Sequence, residues 1–114
     1  MTGTDGYKCG WRYAPGVHDE VKALAPTGAA HLAQAMKRYG KGTALPRQVK
    51  ALGDGLSELR VTVCGTEYRL IFFHPVGHIA VGLVAFQKDT RKTPGRYLTL
   101  AKDRKGSWQA NGKV

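Results

Sequence analysis

The sequence predicts an α+β fold in which two N-terminal helices are followed by a run of β-strands and then by a C-terminal helix. Two stretches of helical periodicity, separated by a proline, occupy residues 15–40. Segments of strand character follow over residues 57–86, with short turns between them. A chain of 114 residues suffices for one such domain, residues 1–114, around a single core. We expect residues 1–9 and 106–114 to form flexible tails.

The N-terminal third is predicted to contain a short strand and a helical hairpin. Residues 11–13, Trp-Arg-Tyr, suit a first strand because aromatic residues favour extended structure. Pro15 is a good first residue for a helix, and Pro26 ends that helix. Thr27 can cap a second helix, which glycines close near residue 40. The two apolar stripes consist of Val17, Val21 and Leu24, and of Ala30, Leu32, Ala33, Met36 and Tyr39.

The remaining elements are a loop, three strands and a helix. Residues 41–55 are predicted to form a loop, because glycine and proline interrupt them four times. Strands are predicted over residues 57–63, 66–73 and 78–86, and the last is apolar enough to be a central strand covered on both faces. A final helix is predicted over residues 94–105, since its first residue is proline.

The charge of the chain is unevenly distributed. Lysine and arginine number 18 against 8 acidic residues, a net charge of +10. Residues 1–36 contain three basic and three acidic residues, so the whole excess lies in residues 37–114, with fifteen basic and five acidic residues. An excess confined to one region favours a polyanionic partner such as nucleic acid. A basic surface without a partner, or one for an acidic protein, is the alternative.

Several other classes of protein find no support. No apolar run approaches the roughly 20 residues that a membrane span needs, and no secretory signal is visible, so we expect a cytoplasmic protein. Cys9 and Cys64 belong to no paired motif and are expected to be free thiols. His74 and His78 lack the cysteine pair that a zinc site would require alongside them. We expect neither a metal nor another cofactor.

A pair of arginines is predicted to face each other across two strands. If residues 64–65 form a two-residue hairpin turn, residues whose numbers sum to 129 are paired, which places Arg60 opposite Arg69. Glu58 and Glu67 share that face of the sheet. Because like charges directly opposite each other repel, two interpretations arise. Either the glutamates neutralise the arginines on a solvated face, or the guanidinium groups are available to hold a phosphate in a bidentate fork.

The end of the third strand carries a second group of candidates. Phe86, Gln87 and Lys88 end the strand, and the following loop adds Arg91 and Lys92. Phe86 and Lys88 have the same parity, so a ring that stacks on a base and a cation that binds its phosphate would emerge together. The alternatives are core packing for Phe86 and a solvated loop for the basic residues.

These residue types can support metal-independent RNA cleavage. The ribose 2′-hydroxyl attacks the adjacent phosphorus, and cations stabilise the negative charge that develops. Glu58, or a lysine of lowered pKa, is a candidate for the base that takes the 2′-proton. Lys88, Lys92 or Tyr68 is a candidate for the acid that protonates the leaving oxygen. His74 and His78 titrate in a useful range, but they flank a turn and are expected to be solvent-exposed.

Three segments resemble the motifs of a known family. Residues 50–60 resemble the pattern K-x-L-G-x-G-L-x-E-L-R, and Tyr68-Arg69 is similar to the Y-R of the next strand. Residues 86–94 resemble F-x-K-K-T-x-K-T-P, except that an aspartate replaces the second lysine. The resemblance extends in order over residues 11–105 and is to the phage-derived, HigB-like branch of the RelE/ParE superfamily of type II toxins.

The resemblance implies a RelE-like fold, with an N-terminal helical hairpin packed on a twisted antiparallel β-sheet and a C-terminal helix. It implies a metal-independent endoribonuclease that cleaves mRNA in the ribosomal A site and so inhibits translation and growth. Its partners would be mRNA on the ribosome and a cognate HigA-like helix-turn-helix antitoxin, through which the complex binds operator DNA. The implied catalytic residues are Arg60, Arg69, Lys88, Lys92 and Glu58, and the expected RNA contacts are Lys50, Tyr68, Phe86, Gln87, Arg91 and Arg47.

The sequence is also compatible with a different class of function. A non-enzymatic module that binds RNA or a protein partner would show the same charge and the same fold. A protein that binds DNA by itself is a third class, but no recognition helix with base-reading residues stands out.

Overall fold

The computed structural model describes residues 8–88 and 94–111, and it confirms the α+β class. Two N-terminal helices, a five-stranded sheet and a C-terminal helix form the domain. In chain order the elements are β1 (Gly10–Tyr13), α1 (Val17–Ala23), α2 (Pro26–Gly40), a 3-10 turn (Pro46–Gln48), β2 (Val49–Gly53), β3 (Leu56–Val63), β4 (Thr66–Val76), β5 (Ile79–Lys88) and α3 (Gly95–Ala110).

The sheet is mixed. Its strand order is β1-β5-β4-β3-β2, and β3 to β5, the three predicted strands, are antiparallel as expected. Strand β2, which was not predicted, also pairs antiparallel with β3. The short first strand departs from the purely antiparallel expectation, because β1 lies parallel to β5 at one edge. Parallel pairing requires a long connection between the two strands, and here the helical hairpin and the rest of the sheet provide it.

The β3–β4 hairpin has the predicted register. Cys64 and Gly65 form its two-residue turn with φ angles of 50° and 84°, the left-handed geometry that matches the twist of a tight hairpin. Arg60 therefore lies opposite Arg69.

The prediction of a loop over residues 41–55 is wrong for residues 49–53, which form β2 and pair with β3. Glycines at 53 and 55 and Asp54, all with positive φ, make the turn that follows β2. These residues therefore mark the end of a short strand, whereas their density had suggested an irregular segment. A five-residue strand offers too little alternation to outweigh such strong turn signals.

Both terminal boundaries also differ from expectation. Helix α3 continues to Ala110, because the side chain of Trp108 packs into the core with 7% of its surface exposed. Residues 106–110 are therefore helical and form no tail. Cys9 is likewise buried, and its main-chain N–H donates to the carbonyl of Gly40 over 3.1 Å. Thr27 is not a cap, since it lies inside the first turn of α2.

The core lies on both faces of the sheet. Helix α2 covers the face formed by Leu59, Val61, Tyr68 and Leu70, which are all buried. The contact is closest at Gly28, where an added Cβ would overlap the ring of Tyr68. Helix α3 packs against β4 and β5, and its Tyr97 lies on Phe86 at a ring-centroid separation of 3.9 Å.

Side chains close the edge of β5 beyond the point where its pairing with β1 ends at Gly82. Glu20 of α1 accepts a hydrogen bond from the main-chain N–H of Ala85 over 3.1 Å. Arg104 of α3 donates to the carbonyl of Leu83 over 2.8 Å and forms an ion pair with Glu20. The two helices therefore satisfy main-chain groups that a neighbouring strand would otherwise bind.

A charged group lies at the centre of the α3 side of the sheet. Arg69 and Glu58 both have 0% of their surface exposed. The guanidinium of Arg69 forms ion pairs with Glu58 over 3.5 Å and with Glu67, to which its Nε also donates over 2.9 Å. A buried charge requires such partners. Of the two sequence interpretations, neutralisation by glutamates describes Arg69, but the face that it placed in solvent is buried at this point.

The close contact at Gly28 predicts that Gly28→Ala destabilises the protein, although alanine favours helix elsewhere. The added methyl group must displace the Tyr68 ring, at a cost of about 1–3 kcal/mol in the free energy of unfolding. Urea denaturation measures this change. Gly106→Ala is the matched control, because that glycine is exposed within α3 with open space around it, and there we expect a gain of about 0.5–1 kcal/mol. A gain at both positions would contradict the packing described.

The buried ion pairs predict a second stability difference. Arg69→Ala removes one positive charge that is paired with the buried Glu58 carboxylate, so we expect a loss of about 3–5 kcal/mol in the free energy of unfolding. The same substitution at Arg47, which is exposed, should change it by no more than about 0.5 kcal/mol. Equal denaturation midpoints for the two variants would refute the role assigned to Arg69.

Candidate active site

Three arginines from different elements converge on one cleft at the edge of the sheet. Arg38 comes from α2, Arg47 from the 3-10 turn and Arg60 from β3. The cleft has a volume of about 610 Å³, within the range of roughly 300–1,000 Å³ that is usual for ligand sites. We call it the arginine cleft, and the described residues that line it are His31, Gln34, Arg38, Arg47, Gln48, Arg60, Val61, Thr62 and Glu67.

The cleft exists because β2 is shorter than β3. The pairing of β2 with β3 begins at Val49 opposite Leu59, so residues 60–63 of β3 extend beyond it as an open edge. The 3-10 turn precedes β2 and brings Arg47 and Gln48 to this edge. The α2 residues of the lining recur at positions i, i+3 and i+7, which places them on one side of the helix.

The charges of the cleft favour an anion. Among the residues that the structure describes, three guanidinium groups of the cleft face one carboxylate, that of Glu67, which already forms an ion pair with Arg69. Arg38 and Arg47 are exposed and Arg60 is half-buried, so their charges are accessible from solvent. Guanidinium groups bind phosphate oxygens with two parallel hydrogen bonds, and several of them around one cleft concentrate positive potential there.

Lys88 lies on the same face of the sheet as Arg60, at the end of β5, and β4 separates the two strands. It is opposite Glu67 in the β4–β5 register, so Glu67 stands between Lys88 and the arginine cleft. Its Nζ is buried and finds no hydrogen-bond acceptor among residues 8–88 and 94–111. Burial lowers the pKa of Lys88, and the positive charge of Arg69 acts in the same direction. A lysine with a lowered pKa gives up its proton more readily than an exposed one.

The predicted catalytic residues separate into three groups. Arg60 lies in the arginine cleft, and Lys88 lies beside it with its ammonium group buried. Glu58 and Arg69 are enclosed in the ion-paired cluster, so neither is accessible to a substrate in this structure. The suggestion that Glu58 acts as the base therefore lacks structural support. Lys92 lies outside the described residues.

The two aromatic candidates are both buried. Tyr68 is 5% exposed and faces α2, on the opposite side of the sheet from Arg60 and Lys88. Phe86 is 4% exposed, and the stacked ring of Tyr97 covers it. Neither ring is free to stack on a base, and the Tyr68 hydroxyl cannot serve as the acid from that side. Core packing is the interpretation that describes Phe86.

The other expected RNA contacts are dispersed. Arg47 lies in the arginine cleft, and Lys50 is exposed on β2. The Gln87 side chain accepts a hydrogen bond from the main-chain N–H of Ala25, the residue before α2, over 3.0 Å, which ties β5 to the helical hairpin. Arg91 lies outside the described residues.

Sequence reasoning missed the contribution of α2 to the cleft. Its Ala-rich apolar face indicated core packing, which is correct, but His31, Gln34 and Arg38 border that face and line the cleft. The spacing of these polar residues, i, i+3 and i+7, indicates in the sequence that they share one side of the helix. Nothing in the sequence showed that this side of the helix meets an open strand edge.

Other candidate features do not form a site. His74 is bound to the hydroxyl of Tyr39 through Nε2 over 2.7 Å. Within the described parts of the chain, no three His, Cys, Asp or Glu side chains are grouped so that they could hold a metal ion. Cys9 and Cys64 are free thiols, one buried and one exposed. No helix in residues 8–88 or 94–111 has the length and the apolar character for a membrane crossing.

Comparison with known proteins adds independent information. The family described as "Phage derived protein Gp49-like (DUF891)" matches residues 19–106. Two relatives from Mycobacterium tuberculosis, in strains CDC 1551 / Oshkosh and ATCC 25618 / H37Rv, are each named "Probable endoribonuclease HigB1". Each is 31% identical over 90 residues, which span 79% of this chain and 71% of the relative. This chain therefore belongs to the phage-derived Gp49-like family, in the HigB-like branch of the RelE superfamily of toxins.

Proposed function

We propose that this protein is the toxin of a type II toxin–antitoxin pair and that it is an endoribonuclease which cleaves mRNA in the ribosomal A site without a metal ion. The observation that carries the proposal is the convergence of Arg38, Arg47 and Arg60 on one cleft. The relatives named as probable endoribonucleases support the same activity. A cognate helix-turn-helix antitoxin, through which the complex binds operator DNA, completes the proposal.

The arginine cleft supplies the charge that the reaction needs. The 2′-oxygen forms a bond to phosphorus, the bond from phosphorus to the 5′-oxygen breaks, and negative charge grows on the non-bridging oxygens. Arg47 and Arg60 come from different elements of the cleft, so they can approach one phosphate from two directions. Fixed cations placed where charge develops lower the barrier most.

Lys88 is the proposed proton donor to the leaving 5′-oxygen. It lies on the β-sheet face that carries Arg60, and its lowered pKa brings it closer to the range in which a proton is readily given up. Its Nζ is buried and without a hydrogen-bond acceptor in the described part of the chain, but the residue is partly exposed, so a movement of the side chain would bring Nζ to an oxygen of the substrate. Two exposed basic side chains extend the contact along the RNA backbone: Lys50 of β2 and Arg47 of the 3-10 turn.

A non-enzymatic RNA- or partner-binding module is the second candidate. One observation favours it: Glu58, Tyr68 and Arg69, three of the residues first expected to act in catalysis, are all enclosed in the core. In that case the cleft would bind RNA without breaking it.

We expect the purified protein, stripped of bound metal ions with EDTA and then freed of the chelator, to cut mRNA on programmed ribosomes, giving new 5′ ends within the A-site codon. Arg60→Gln and Arg47→Gln should each reduce the rate by about 10²–10³-fold, because each removes a charge that stabilises the transition state. Lys22→Gln, which removes an exposed charge from α1, is the control and should keep the wild-type rate. RNA binding by the wild type with no new 5′ ends would establish the non-enzymatic alternative instead.

The lowered pKa of Lys88 predicts a pH-dependent stability. Between its pKa in the folded protein and the ordinary value of 10.5, the unfolded chain binds a proton that the folded protein does not, so wild-type stability rises with pH. Lys88→Met removes this effect and should be more stable than wild type at neutral pH, with a difference that shrinks as the pH rises toward 10.5.

Thermal melts from pH 7 to pH 10.5 measure this difference. Lys22→Met provides the matched control at an exposed lysine. A Lys88→Met advantage that stays constant over the whole pH range would show that Lys88 is charged in both states.

A further inference from the structure

The mechanism proposed above has no group to take the 2′-proton. Glu58 is fully buried and paired with Arg69, and Tyr68 is buried on the other side of the sheet. Lys88 is assigned to the leaving group. A base must lie within reach of a phosphate held by the cleft arginines, because the 2′-hydroxyl belongs to the adjoining ribose.

His31 meets these requirements, and we propose that it is the general base that takes the 2′-proton during RNA cleavage. The inference rests on the proposed endoribonuclease activity and names a residue for its first proton transfer. His31 is exposed on α2 and lines the arginine cleft together with Arg38, Arg47 and Arg60. The other three histidines, at positions 18, 74 and 78, do not line this cleft.

The hydrogen bonding of the ring defines which nitrogen is available. His31 Nδ1 lies 2.8 Å from the carbonyl oxygen of Thr27, one helical turn earlier. A carbonyl oxygen only accepts hydrogen bonds, so Nδ1 carries the proton. In the neutral ring, Nε2 then holds the lone pair and is the proton acceptor. The same bond orients the ring, as the partner of a catalytic histidine does in other enzymes.

The His31 ring is surrounded mainly by positively charged side chains. The charged groups that line the cleft with His31 are Arg38 from its own helix, Arg47 from the 3-10 turn, Arg60 from β3 and Glu67 from β4. Glu67 is engaged by Arg69, so the cleft presents to substrate one imidazole among guanidinium groups. The guanidinium groups hold the phosphate, and among the described residues of the lining the imidazole is the uncommitted side chain that has a basic nitrogen.

The proposed cleavage involves two proton transfers. The 2′-oxygen forms its bond to phosphorus as His31 Nε2 takes the hydroxyl proton. The bond from phosphorus to the 5′-oxygen breaks as the Lys88 ammonium gives that oxygen a proton. The products are a 2′,3′-cyclic phosphate and a 5′-hydroxyl, and both side chains return to their starting protonation states by exchange with water.

The primary test compares His31→Asn with wild type in single-turnover cleavage on ribosomes as a function of pH. An asparagine amide can keep the hydrogen bond to the Thr27 carbonyl but has no basic nitrogen. We expect a rate reduced by about 10²–10⁴-fold and the loss of the acidic limb of the pH profile. Affinity for the same mRNA with a 2′-deoxy residue at the cleavage position should stay within twofold of wild type.

A second measurement separates the base from the acid. An mRNA with a sulfur in place of the bridging 5′-oxygen has a leaving group that needs no proton. This substrate should restore cleavage by Lys88→Met and leave His31→Asn slow. His18→Asn carries the same substitution on exposed α1, outside the cleft, and should match wild type throughout.

The outcomes are distinct. No cleavage by the wild type on ribosomes would remove the proposed function itself. Cleavage by His31→Asn at the wild-type rate with an unchanged pH profile would overturn only the role of His31. If His31→Asn binds the deoxy-substituted mRNA so weakly that the lost affinity accounts for the whole loss of rate, the role of His31 as the base is also overturned. His31 would then bind RNA and not transfer a proton. If the sulfur substrate restored cleavage by His31→Asn, His31 would be the acid that protonates the leaving 5′-oxygen and not the base.

Discussion

The burial of Arg69 is the constraint on which the rest of the sheet depends. A guanidinium with no exposed surface requires charged partners, and Glu58 and Glu67 approach it from β3 and from its own strand. A slip of one residue between β3 and β4 would move Glu58 to the other face and leave the charge without that partner. The ion pairs and the tight turn at residues 64–65 therefore specify the same register. That register in turn holds Arg60 beside the cleft and Glu67 opposite Lys88.

The site forms where regular structure ends. Strand β2 stops pairing at Leu59, and the open length of β3 that remains becomes one wall of the arginine cleft. The opposite edge of the sheet is treated differently, because Glu20 and Arg104 close β5 beyond the end of β1. One edge is sealed by side chains from two helices, and the other is left accessible and lined with positive charge.

Local patterns were enough to predict the helical hairpin, the three long strands and the facing arginines, since periodicity and a two-residue turn act over short distances. Strand β2 was hidden by its flanking glycines. The enclosure of Phe86 depends on Tyr97 of a distant helix, and the buried ion pair of Arg69 depends on Glu58 of the neighbouring strand. His31 joined the site only through the packing of α2 against β3. Contacts between elements far apart in sequence leave no local signal, and the site residues that were misjudged all depend on such contacts.

The open edge of β3 also bears on how copies of this chain meet one another. With a two-residue turn at 64–65, Arg60 and Thr62 direct their main-chain N–H and C=O groups toward that edge, where another strand would find hydrogen-bonding partners. Two copies approaching edge to edge would bring their Arg38, Arg47 and Arg60 groups together, and that like-charge repulsion opposes the pairing. The positive charge proposed to bind a polyanion thus also opposes the pairing of two copies at this edge, and this opposition weakens as salt screens the charges.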